Sequence, residues 1–229
     1  VEGAVIVASK ACAEEMIALP PAALAAMVEN ADALGAAGAF FREIFGAFEF
    51  AGITLTPPTE TFEGRAVRRV GDKEVHLIEV GPAHTRGDVL VHVPADRTVF
   101  TGDILFIDGH PILWEGPIGN WVRACDRLLE MDARTIVPGH GPITDARGVE
   151  ALRGYLVYIE AEARKRYDAG LPVLEAARDI SLVDYGSWGD AERIAVNVAT
   201  LYREFGDPAP PPGPLELFGW MAQLARDRA

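Results

Sequence analysis

Three short stretches decide how this chain is read: Gly81-Pro-Ala-His84-Thr-Arg-Gly-Asp88, Phe100-Thr-Gly-Asp103 and Val137-Pro-Gly-His140-Gly-Pro142. Each places one metal-ligand type of residue at or just past the end of a β-rich run. Gly81 and Pro82 end a strand, so His84 projects from a turn, and Thr85, Gly87 and Asp88 shape that turn into the next strand. Asp103 follows Gly102 after the strand Thr98-Val-Phe100, where its carboxylate can bind one metal ion or bridge two. His140 lies between two glycines, whose small size lets backbone and metal approach closely. Imidazole nitrogen and carboxylate oxygen are the ligands a borderline-soft ion such as zinc takes. Three are few for a fixed two-metal site, and no His-x-His-x-Asp-His cluster or close His pair lies upstream of His84.

Outward from those motifs, the order of elements points to an α/β chain. Ala4 to Ala8 reads as a buried strand, and Ser9 as the N-cap of a helix over Lys10 to Ile17. Pro20-Pro21 breaks that helix, and Ala22 to Glu29 forms a second. Ala39 to Phe50 places Phe40, Phe41, Ile44, Phe45 and Phe48 at helical spacing, a stripe that marks core or a pocket wall. Thr54 to Thr61 is a loop. Strands are expected over Arg65–Val70, Glu74–Val80, Val89–Val93 and Thr98–Phe100, with turns at Gly71-Asp72 and Pro94 to Arg97. A helix over Trp121 to Met131 follows a Gly- and Pro-rich segment, then a short strand Thr135–Val137. From Thr144-Asp145 the chain is mostly helical. A stiff Pro-rich connector, Asp207 to Pro214, precedes a last helix over Leu215 to Arg226.

Composition bounds the partners. The 229 residues are 49% hydrophobic and 24% charged, as in an ordinary globular chain. A net charge of −13 offers no general attraction for nucleic acid or anionic lipid. No apolar run is read as long enough to cross a bilayer, and no signal peptide is read. The expected setting is therefore cytoplasmic, with a small-molecule substrate, no nucleic acid and no membrane. Cys12 and Cys125 form no C-x-x-C pair and read as packed, reduced thiols. There is no Gly-x-Ser-x-Gly elbow for a serine nucleophile. His76 and His92 fall inside strands and read as structural, and His110 falls outside the ligand set. The segment from Asp108 to Trp121, with the helical C-terminal part, is the expected substrate wall, with Trp114, Tyr185 and Trp188 as its aromatic residues.

The block from Val75 to Thr144 resembles the second half of the metallo-β-lactamase-fold hydrolases, which include glyoxalase II-type thioesterases, lactonases and β-lactamases. The three motifs are similar to that family's third, fourth and fifth. An Asp at position 103 resembles the glyoxalase II-like branch. The resemblance implies an αββα sandwich, incomplete at its N-terminus, over residues 1–150, with a helical C-terminal extension over 151–229 packed on it. It implies His84 on a first zinc, Asp103 between two, and His140 on the second. It places the family's His-x-His-x-Asp-His ligands shortly before Val1, so the chain reads as a piece of the fold: a truncated piece, a mis-assigned start or a natural fragment.

The implied function is zinc-dependent hydrolysis of a small ester, thioester, lactone or amide by metal-activated water, impaired in this chain, with one or two zinc ions in an intact member and weak or no binding here. A non-catalytic metal-binding or structural remnant of that fold is the alternative, and an unrelated β-rich binding protein a third reading. Sheet faces left uncovered imply a homodimer or recruitment of the missing N-terminal segment.

Overall fold

The computed structural model describes residues 3–228. Strand β1 (Val7–Ser9) runs into helix α1 (Lys10–Ala18), and the Ser9 hydroxyl accepts the Cys12 amide as the N-cap. Helix α2 (Pro21–Glu29) starts on a proline at its first turn, where a missing N–H costs nothing. The stretch Lys10–Glu29 is long and apolar enough to cross a membrane by length and composition, contrary to the sequence reading. Pro20 nevertheless splits it into two short helices.

Helix α3 (Gly35–Phe45) begins earlier and ends earlier than the phenylalanine spacing predicts. Gly38 hides the start from a propensity reading, yet only glycine fits there, because a Cβ would stand 2.0 Å from the Ala31 carbonyl oxygen. Gly46 closes the helix by donating its amide to the Arg42 carbonyl, so Phe48 and Phe50 lie beyond it. Strand β2 (Glu60–Phe62) overlaps the end of the expected loop and pairs in parallel with β1. β2 is three residues long, too short for a periodicity to show, and β1 starts at Val7 rather than Ala4, with Val5 and Ile6 exposed rather than buried.

The main sheet has the order β3 (Arg65–Val70), β4 (Lys73–Glu79), β5 (Val89–Val93), β6 (Thr98–Phe106), β7 (Thr135–His140). Consecutive strands are antiparallel up to β6, and β7 lies parallel to β6. A parallel neighbour requires a crossover, which helix α4 (Ile118–Leu129) provides. β6 is three times as long as expected, because its pairing with β7 shifts register on either side of Gly102 and resumes at Phe106. Asp103 therefore sits within a bulged strand rather than after one. The architecture is mixed α/β with a helical C-terminal region, as expected.

Helix α5 (Ala146–Asp168), N-capped by Asp145, packs beside α4. The expected division after residue 150 falls inside α5. α6 (Val173–Asp179), α7 (Ile194–Phe205) and α8 (Pro214–Arg228) complete the chain. One hydrophobic cluster runs through both parts, from Leu90 and Val99 of the sheet through Trp121 to Tyr155, Val198 and Phe218. α8 lies against α3, which brings the end of the chain to the mouth of the site.

Candidate metal centre

His84 stands on the turn between β4 and β5. Thr85 donates its amide to Asp88 Oδ2 at 2.9 Å and its hydroxyl to Asp88 Oδ1 at 2.7 Å, which closes the turn on itself. Burial pushes the Asp88 carboxyl above the usual carboxylate range, against the lowering effect of those two bonds. The turn is also held from outside: the Ser9 hydroxyl donates to the Gly87 carbonyl at 2.9 Å. Gly87 is required there, since a Cβ would meet the Cys12 backbone nitrogen at 2.4 Å.

The His84 side chain is buried beside Phe106 and Trp121, with ring centroids 5.6 and 5.8 Å away. Its Nδ1 lies 2.7 Å from the Ile112 carbonyl oxygen. A carbonyl only accepts, so Nδ1 carries the proton and Nε2 presents its lone pair to the site. Such a hydrogen bond is what commonly orients a metal-binding histidine.

That lone pair faces Asp103. His84 Nε2 is 3.4 Å from Asp103 Oδ2, and His140 Nε2 is 3.5 Å from Asp103 Oδ1. His140 lies flat on Phe106, centroids 4.4 Å apart and planes 8° apart. Gly139 makes room for the carboxylate: a Cβ there would stand 2.1 Å from Asp103 Oδ1. Gly141 takes φ +88° and a Cβ on it would meet the Ile107 carbonyl at 2.1 Å.

The three expected ligands are therefore brought together, with Asp103 between two imidazoles. Separations of 3.4 and 3.5 Å are long for hydrogen bonds. They suit two donors of one tetrahedral ion, which stand about 3.3–3.6 Å apart when each bond is ~2.0–2.2 Å. The donor set thus fits zinc chemically, as one nitrogen and one oxygen on each side of the carboxylate. It is incomplete: among the described residues, no group of three or more His, Cys, Asp and Glu side chains is gathered closely enough to enclose an ion.

Trp114 lines the same cavity as His84, Asp103 and His140. Tyr185 and Trp188 do not line it; they pack with Tyr155, Trp188 also against His110, in an aromatic cluster under α5. His110 is fully buried there, 5.1 Å from the Tyr155 ring. His76 contacts Arg65 at 2.8 Å on the sheet, and burial lowers the pKa of His92 opposite it. Both cysteines are poor nucleophiles: burial raises the Cys12 pKa and pushes that of Cys125 to about 12.

Two residues that support the site are absent from the sequence reading. Asn197, fully buried on α7, accepts from the Leu113 amide at 2.7 Å and donates to the Pro111 carbonyl at 3.0 Å. A lone amide in the run Ile194-Ala-Val-Asn197-Val-Ala signals a buried hydrogen-bonding role. Arg193 lines the cavity and donates to the His110 carbonyl at 2.8 Å. No sequence pattern distinguishes it from the other arginines.

Residues 12–140, more than half of the chain, match the family described as the Metallo-beta-lactamase superfamily, and the chain belongs to that superfamily. Among curated proteins it is similar to the "Hydroxyacylglutathione hydrolase" of Mesorhizobium japonicum, 33% identical over 78 residues, 34% of this chain and 30% of that one. It is also similar to the "Probable hydroxyacylglutathione hydrolase glo2" of Schizosaccharomyces pombe, 29% identical over 102 residues, 43% of this chain and 38% of that one. The chain thus spans well under half the length of the curated relatives it matches. The stereoselective inverting sec-alkylsulfatase Pisa1 from a Pseudomonas species shares the fold over 69% of this chain and 29% of its own, at 15% identity and a TM-score of 0.51. The metallo-beta-lactamase from Pontibacter korlensis overlaps 44% of this chain and 49% of its own, at 24% identity and a TM-score of 0.40.

Proposed function

We propose that this chain carries one side of the active site of a zinc-dependent hydrolase acting on a small ester, thioester, lactone or amide. The observation that supports this best is the Asp103 carboxylate, which presents one oxygen to each of two histidine Nε2 atoms at 3.4 and 3.5 Å. His84 and Asp103 Oδ2 would hold one ion, and His140 and Asp103 Oδ1 a second. The chemistry expected of zinc held there is acidification of a water towards a pKa of ~7 and polarisation of a carbonyl. The chain's own part is orientation. Ile112 fixes the His84 tautomer, Phe106 fixes the plane of His140, and Trp114 borders the space a substrate would enter.

Two donors per ion leave each incomplete. We propose that a His-x-His-x-Asp-His segment supplies the rest in the whole protein. Hydrolysis of generic thioesters and lactones, measured with zinc on this chain alone and with that segment restored, tests the proposal. A rise in rate on restoring it is expected; equal rates with and without it contradict it.

The second reading, a non-catalytic metal-binding or structural remnant, is favoured by the absence of a closed three-donor group among the described residues. It predicts no zinc-dependent hydrolysis in either form.

A further inference from the structure

The cavity that holds the three donors, about 640 Å³, is lined by two chemically distinct sets of residues. One is aromatic. Phe40 and Phe45 come from α3, Phe48 from just beyond it, Phe218 and Met221 from α8, and Trp114 from the segment after β6. Phe218 joins them, with ring centroids 6.3 Å from both Phe45 and Trp114 and 6.5 Å from Phe40. The wall does not close on itself. Phe48 is 62% exposed and Ile44, also on the lining, 40%. Large apolar side chains left in water beside a cavity mark a surface that something apolar covers.

The charged part is mostly acidic, and one of its carboxylates, Glu43, stands on α3 with Phe40 and Phe45. The charged lining residues are Glu43, Asp103, Asp190, Glu192 and a single cation, Arg193. That guanidinium is already committed. Its Nη2 lies 3.0 Å from Asp190 Oδ2, its Nη1 donates to the His110 carbonyl, and it lies 5.6 Å from the Phe106 ring. Among the described lining residues outside the proposed metal ligands, the one cation, Arg193, is committed, against the carboxylates of Glu43, Asp190 and Glu192.

We infer that, given the hydrolase reading above, the substrate is an uncharged carbonyl compound with an extended apolar acyl or aryl group, laid along the α3–α8 wall. The carbonyl end lies at Asp103 and the two histidines, and the apolar tail runs towards Phe48 at the mouth.

The test uses ligands that cannot turn over. Straight-chain alkyl methyl ketones of six to twelve carbons are titrated into the chain in chelating buffer, followed by tryptophan fluorescence and calorimetry. Burial of each added methylene predicts affinity rising by up to about fourfold per carbon. The carboxylate of matching length is expected to bind at least about tenfold more weakly, a 1.4 kcal/mol difference. Phe48→Ala, at an exposed position that leaves the core intact, is expected to weaken the longest ketone about three- to tenfold, and Phe218→Ala more. Affinity independent of chain length, preference for the carboxylate, or a length dependence unchanged in Phe48→Ala would overturn the inference. Ketone binding needs neither metal nor turnover, so its failure leaves the hydrolase reading standing, and a failure of zinc-dependent hydrolysis leaves this one standing.

Discussion

Asn197 brackets Ile112. Its amide bonds the residues on either side, Pro111 and Leu113, so the Ile112 carbonyl that accepts the His84 Nδ1–H hydrogen bond is held from helix α7. Thr200, one turn further on, donates to the Leu113 carbonyl at 2.7 Å. The helical C-terminal region is therefore part of the support of the proposed metal site.

Asn197→Ala should act on both stability and metal binding. It leaves the buried Leu113 amide without its acceptor, at a cost of about 1–3 kcal/mol. Loss of an orienting partner of this kind weakens metal affinity about 10–100-fold. Denaturant unfolding and zinc calorimetry on one preparation separate the two effects. Lower stability with unchanged zinc affinity would assign Asn197 to packing alone.

Gly139→Ala should strike the site more than the fold. The new methyl falls 2.1 Å from Asp103 Oδ1 and 2.7 Å from the Gly102 carbonyl oxygen, so the carboxylate or β7 must move. Zinc affinity is expected to fall at least about tenfold, in the range for disturbed ligand supports. Retained wild-type affinity would show that Asp103 is not held where zinc needs it.

Glu204 gives a pH dependence of stability. Its carboxylate accepts the Ile118 amide at the start of α4 and sits against Gly116. Burial outweighs that bond and raises its pKa from 4.5 to about 6. The folded state then binds this proton more tightly than the unfolded state. The associated stability is complete below pH 4.5 and is lost as pH rises through about 6. The residue as a whole is exposed, so screening reduces the effect to on the order of 1 kcal/mol. Glu204→Gln keeps an acceptor and removes the titration. The difference in unfolding free energy between variant and wild type, measured at pH 4 and pH 8, should move by that amount in the variant's favour at pH 8; no change would locate the carboxylate in water.

Self-association should depend on the sheet. Leu77, Val91, Phe100 and Val137 are register partners in a row across four strands, and Phe100 is 45% exposed. An apolar row of this kind, half-buried at Leu77, Val91 and Val137 and exposed at Phe100, favours pairing. Light scattering is expected to show concentration-dependent association that Phe100→Asp reduces. A concentration-independent monomer in wild type would contradict it.

Much of this was legible from local sequence. The Ser9 cap, the four antiparallel strands and the convergence of His84, Asp103 and His140 follow from capping chemistry, alternation and motif context. What local reading missed lies in long-range register and packing. The extension of β6 past Phe100 depends on pairing with β7 across Gly102, and the short β1–β2 pair depends on two segments 50 residues apart meeting. Tyr185 and Trp188 read as substrate-wall residues in sequence, but both rings pack on Tyr155, and Trp188 also on His110. Asn197 acts on His84 only through a loop folded over it.

Zinc calorimetry on the chain and on His84→Ala, Asp103→Ala and His140→Ala tests whether Asp103 is shared between two ions. Asp103 is shared, so its loss should abolish measurable zinc binding, while either histidine variant should lose at least about tenfold and keep a residual site. Zinc affinity equal in the wild type and in all three variants would contradict the account.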